Sequence, residues 1–178
     1  MRRRGKGTDL RNQTFKSDAR TLAHKALASS SEMEMPGIDV KLVRFEPVTH
    51  AAIDASYLWD EGFSYPWECI QEWKSKDAKG FDLALWYGRE LCGLCYATPR
   101  KSVIQIKVVL LQGKPERTHP LRGLVAPLSL LAIDFYARML RCTEIEIQDP
   151  DTGAIRYYLE LGFTFDTAGR LVISVGAP

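Results

Sequence analysis

The sequence predicts an α/β (α+β) chain folded as one domain, with helices placed between strands and no internal repeat. Three observations support this. Residues 103–111, Val-Ile-Gln-Ile-Lys-Val-Val-Leu-Leu, make the longest strand-like run. Leu124, Leu128, Leu131, Phe135 and Met139 recur at intervals of three or four, which is one face of a helix. Two turns, Gly88-Arg-Glu90 and Asp166-Thr-Ala-Gly169, each join a pair of apolar runs as hairpins do.

Taken in order, residues 40–45 alternate as a first strand. Pro47 opens a helical stretch through Ala51, Ile53, Ala55 and Leu58, which Gly62 and Pro66 end. Trp67, Ile70 and Trp73 mark a second short helix. Residues 82–87 and 91–98 are hairpin partners, and the 103–111 strand follows. After a loop at 112–119, the helix at about 124–141 leads to a strand at 143–148. Asp151 is placed to cap the next helix, Gly162 ends that helix, and strands at 163–165 and 170–175 close the chain. The predicted order is β-α-α-β-β-β-α-β-α-β-β.

Length and composition fit one domain of 178 residues, 46% apolar and 26% charged, with a formal net charge of +2. Charge is unevenly spread. Residues 1–31 hold eight Lys or Arg against Asp9 and Asp18, about +6, and the remainder is about −4. Residues 1–37 read as a basic, flexible N-terminal arm, either a solvated tail or a contact for RNA, with residues 38–178 as the domain. Cys69, Cys92, Cys95 and Cys142 lie in apolar segments and read as buried thiols; the Cys92 and Cys95 pair reads as packing rather than a metal site. Met1-Arg-Arg-Arg is followed by no apolar segment of a secretory leader, and no apolar run is long enough to span a bilayer. A cytoplasmic monomer or homodimer with no membrane association is expected.

Two segments point to chemistry. In His119-Pro-Leu-Arg-Gly-Leu-Val-Ala126, Pro127 fixes the helix start near Gly123 or Leu124, because a residue without N–H is tolerated only in the first turn. The free amides of that turn, with Arg122 beside them, could cradle an anion. In Asp151-Thr-Gly-Ala-Ile-Arg-Tyr-Tyr-Leu-Glu-Leu-Gly-Phe163, Tyr158 lies four residues before Gly162 on a short helix.

Together these segments resemble the acyl-CoA-binding half of the GNAT superfamily of N-acetyltransferases, whose closing helix has an Asn, Ala, Tyr, Gly-Phe pattern matched here by Asp151, Ala154, Tyr158, Gly162 and Phe163. The element order is likewise similar to the GNAT arrangement, a central mixed, mostly antiparallel sheet with helices on both faces. The resemblance implies acetyl-CoA as cosubstrate, no metal, and transfer of the acetyl group to an amine by direct attack. Backbone groups of Val108, Val109 and Leu110 would pair with the pantetheine. Arg122, Gly123, Leu124, Val125 and Ala126 would hold the pyrophosphate, and Asp151 would lie near the pantetheine. Tyr158 would protonate the departing thiolate, while Tyr157 reads as structural. For the general base the candidates are Asp60, Glu61, Glu68 and His119, with Glu61 placed in the segment resembling the acceptor loop. Two alternatives stay open: a GNAT-like domain that binds coenzyme A or a partner without catalysis, and a toxin-type enzyme acting on aminoacyl-tRNA.

Overall fold

A computed structural model describes residues 6–59, 65–116 and 118–176. Seven strands form one sheet in the order β1-β2-β3-β4-β5-β7-β6. They are β1 (Val43–Glu46), β2 (Phe81–Tyr87), β3 (Glu90–Thr98), β4 (Gln105–Gly113), β5 (Glu144–Ile147), β6 (Thr164–Phe165) and β7 (Leu171–Ser174). Only β4 and β5 run parallel; every other pair is antiparallel. The helices are α1 (Lys6–Glu34), α2 (His50–Ser56), α3 (Ile70–Lys76), α4 (Val125–Met139) and α5 (Ile155–Glu160).

Alternation along the strands divides the core in two. Leu83, Leu85, Cys95, Ala97, Ile106, Val108, Ile145 and Ile147 pack on one face with α1, α4 and Tyr158. Ala84, Leu94 and Tyr96 pack on the other with Ala52, Ile53, Trp59, Trp67 and Ile70. Thr49 caps α2 by accepting the Ala52 amide at 3.3 Å, and Trp67, fully buried, donates its indole N–H to Gln112 Oε1 at 2.7 Å.

The N-terminal segment departs from the flexible arm expected of it. Residues 6–34 are one 29-residue helix. Ala19, Ala23 and Leu27, at successive i,i+4 positions, are buried against the α4 face of the core. Alanines make a thin apolar stripe in sequence, yet their small size lets the helix lie close to its neighbour. Polar contacts fix it further: Arg20 donates to the Asp82 carbonyl at 2.7 Å and pairs with Asp82 Oδ1 at 3.2 Å. Asp82 Oδ2 accepts the Val48 amide at 2.7 Å and Lys74 Nζ at 3.1 Å, so this buried carboxylate has three cationic or N–H partners. Among the described residues, no helix is long and apolar enough to cross a membrane.

A β-bulge in β4 decides where a ligand can enter. The β3–β4 register slips so that Ala97 pairs with Val108 and Tyr96 with Leu110, leaving Val109 extra. Val109 and Leu110 consequently pack on the same side, against the α2 and α3 cluster, although they are adjacent. The parallel β4–β5 ladder ends at Val108 and Ile147, while β4 continues to Gly113. Beyond that rung the two strands part, and β4 there has no strand neighbour on its β5 side among the described residues.

Candidate functional site: a cleft between diverging strands

The parting of β4 and β5 opens a cleft of about 340 Å³ lined by Tyr65, Val108, Val109, Leu111, Asp149, Asp151 and Tyr158, among others. A second cavity, of about 300 Å³, is lined by Leu111, Lys114, His119, Arg122, Gly123, Ala126 and Tyr157. Leu111 borders both, so the two spaces adjoin along β4.

Tyr158 is placed by α5, a short helix that starts at Ile155 after a turn closed by the Ala154 N–H on the Asp151 carbonyl at 2.9 Å. Gly162, at φ +100°, ends it, and Phe163 returns to stack edge-on with Tyr158 at 5.6 Å between centroids. Most of the Tyr158 ring is buried, and burial pushes its phenol pKa up, so the hydroxyl stays protonated through the neutral range. Asp151 lies in the cleft lining as expected, but it does not cap α5. Its Oδ1 accepts the Gly153 amide at 3.0 Å, which closes the preceding turn, and Ala154 takes the position before the helix.

The cradle is built by two tight turns ahead of α4. Arg122 N–H donates to the His119 carbonyl at 3.2 Å and Leu124 N–H to Leu121 at 2.9 Å, with Gly123 at φ +77° between them. Helix α4 then starts at Val125, one residue later than the sequence suggests. Arg122, Gly123, Val125 and Ala126 line the second cavity. Leu124 does not; its side chain faces a separate apolar space of about 580 Å³ with Leu27, Leu128 and Phe163. Leu110 is likewise absent from the cleft lining: the bulge puts it with Val109 on the α2 and α3 side, and of the two only Val109 borders the cleft. The start of α4 is held tightly against the sheet, since a Cβ added at Gly93 would collide with Val125 Cγ1.

Charges are graded along the two spaces. Lys114 pairs with Glu90 at 2.8 Å and Glu116 at 3.0 Å, and its carboxylate partners raise its pKa. His119 is buried with Nδ1 unpartnered, and burial lowers its pKa, which favours the neutral ring. It is distant in role from the acceptor end, where it was one of the candidate bases, because it lines the second cavity. Asp60 and Glu61 lie outside the described residues. Glu68 sits in a 3-10 turn, Trp67–Cys69, and lines neither cavity.

Sequence reasoning missed Leu111, Lys114, Tyr157 and Glu146. Glu146 is 7% exposed, and its Oε2 has no hydrogen-bond partner; the nearest cation is Lys107 Nζ at 3.7 Å. Like Glu68 it lines neither cavity itself; it stands on β5 one residue before Ile147, which lines the cleft and where the ladder ends, and alternation directs it to the face opposite Ile147 and Tyr158. The Glu-Ile-Glu-Ile run of β5 was a visible signal: polar residues alternating in a central strand need a reason.

No family model and no curated protein matches the chain. Solved structures do. Ard1 from Thermoplasma volcanium superposes with a TM-score of 0.55 at 12% identity, over 76% of this chain and 99% of that one. The ribosomal-protein-S18-alanine N-acetyltransferase from Escherichia coli gives 0.55 at 12% identity, over 76% and 96%. An aminoglycoside 6′-N-acetyltransferase complexed with coenzyme A gives 0.55 at 12%, over 75% and 98%. The chain therefore has the fold of the GNAT N-acetyltransferases, a seven-stranded mixed sheet with helices on both faces.

Proposed function

We propose that the protein is an acetyl-CoA-dependent N-acetyltransferase acting on an amine. The observation that carries this reading is the alignment, along one strand, of a split in the sheet with a protonated phenol at one end and a helix N-terminus at the other. Coenzyme A offers a matching sequence of groups, a thioester, an amide-bearing pantetheine arm and a pyrophosphate. The unpaired edge of β4 past Val108 would bond the pantetheine amides in strand fashion, with the bulge at Val109 holding that edge away from β5. At the far end, the first-turn amides of α4 and the Arg122 side chain would receive the pyrophosphate.

Chemistry follows from which face each group occupies. Glu146 would accept a proton from the acceptor amine as nitrogen attacks the thioester carbonyl from its side of the sheet. Backbone N–H groups of the unpaired β4 edge would stabilise the developing oxyanion. As the new C–N bond replaces the C–S bond, Tyr158 would pass its proton to sulfur. Two features support this division: a buried Glu146 oxygen without a hydrogen-bond donor, and a Tyr158 phenol that lines the cleft and is kept protonated by burial. Glu61 remains a candidate base from the resemblance alone.

An RNA-borne acceptor draws less support from α1 than from the sequence, since Lys16 is buried and Arg20 is bound to Asp82. The test is mass spectrometry of the purified protein for bound coenzyme A, then thiol release from acetyl-CoA across a panel of amines. Acceptor-dependent thiol release is the expected result. Coenzyme A binding without release on any amine favours the binding-only reading, and no binding at all overturns both.

A further inference from the structure

Tyr157 has no part in the reaction just described, yet its hydroxyl donates to the Gly123 carbonyl at 3.1 Å, across from α5 to the entry of α4. That carbonyl lies just outside the helical ladder. Leu124, the residue before α4, accepts the first helical bond from the Leu128 N–H at 3.0 Å, so the Gly123 carbonyl one residue earlier has no helical donor of its own. Gly123 is also at φ +77°, a conformation that favours glycine. The peptide that carries this carbonyl leads straight into the first-turn amides.

We infer that Tyr157 is a positioning residue for cofactor binding: its hydroxyl supplies a donor to the Gly123 carbonyl ahead of the helix, and so fixes the Gly123 peptide and the cradle amides in the orientation that receives a pyrophosphate. The inference rests on the acetyl-CoA reading. It also gives the Tyr157-Tyr158 pair a division of labour. Adjacent residues on α5 face different cavities, so one tyrosine serves the pyrophosphate end and the other the thioester end.

Calorimetric titration of the full chain with coenzyme A and with pantetheine, which lacks the pyrophosphate, tests it. Losing one hydrogen bond of ordinary strength corresponds to a change of about 2- to 10-fold in affinity. Tyr157→Phe is expected to weaken coenzyme A by that factor and pantetheine by less than about 2-fold, so the preference for coenzyme A falls. Equal weakening of both ligands, or coenzyme A affinity unchanged in Tyr157→Phe, would overturn the positioning role while leaving the acetyl-CoA reading intact. A parent protein that takes up no coenzyme A overturns that reading and this inference with it.

Discussion

Replacing Tyr158 by Phe deletes one oxygen and leaves the ring, its edge-on contact with Phe163 and its burial in place. The hydroxyl donates to no described residue, so its loss breaks no hydrogen bond among the described residues, and stability should change by no more than about 0.5 kcal/mol. The chemical effect is far larger. Burial raises the phenol pKa, so at neutral pH the group is fully protonated and available to the leaving sulfur. General acid assistance is worth ~10²–10⁴ in rate. The lower end applies, because a thiolate with a pKa of ~8.5 needs only modest help to leave. A ~10²-fold drop in kcat corresponds to about 2.7 kcal/mol of transition-state stabilisation. The assay is thiol release at saturating acetyl-CoA with an accepted amine, alongside calorimetric coenzyme A affinity and urea unfolding. The variant should keep affinity and unfolding midpoint while losing turnover. Turnover within about 2-fold of the parent would refute the proton-donor role, whatever the fold.

Three further outcomes follow from single contacts. Glu146→Gln keeps shape but removes the base, so kcat/KM at pH 7 should fall ~10²-fold with coenzyme A affinity unchanged, and a loss under about 3-fold would return the search to Glu61. Arg20→Ala takes two donors from the buried Asp82 but leaves Lys74 and the Val48 amide; a loss of about 2–3 kcal/mol in urea unfolding is expected, below the ~3–5 of a buried charge left with no partner. No measurable change would mean that α1 contributes little through this contact. Burial pushes the Cys92 thiol up to about 11, against 9.0 unperturbed. Because the folded pKa is the higher, the unfolded chain loses this proton first, and the stability it supports is intact below about pH 9 and lost between about pH 9 and 11. In the folded chain at pH 8 its thiolate fraction is about 100-fold below that of an unperturbed thiol, so iodoacetamide under native conditions should leave Cys92 unlabelled while urea exposes it, as read by peptide mass mapping.

The elements with strong periodicity were legible before any coordinates. Helix α4 is recognised from apolar residues at helical spacing, although its buried face is Val125, Leu128, Ala132, Ile133 and Tyr136 while Leu124, Leu131, Phe135 and Met139 are only partly buried; α5 is recognised from Tyr158, Gly162 and Phe163, because side-chain spacing and helix-ending glycines act locally. Helix α1 was not legible as a docked element. Its contact face is Ala19, Ala23 and Leu27, and alanine adds little apolar signal even where it allows the closest approach. Asp151 was misplaced for a related reason: a side chain that can cap a helix can equally close the turn before it, and the chain chose the turn.

The sequence by itself determined the order of elements after α1, the helix entry forced by Pro127, and the tyrosine beside a glycine-ended helix, since each depends on residues within a few positions of one another. Tertiary structure alone decided the cleft. Its walls come from a bulge at Val109, a parallel ladder that stops at Val108 and Ile147, and α5 closing one end. It also decided that Glu146 is buried without a donor and that Tyr157 reaches Gly123, because those contacts join positions that are paired only by the register of the sheet and the packing of α5 beside α4.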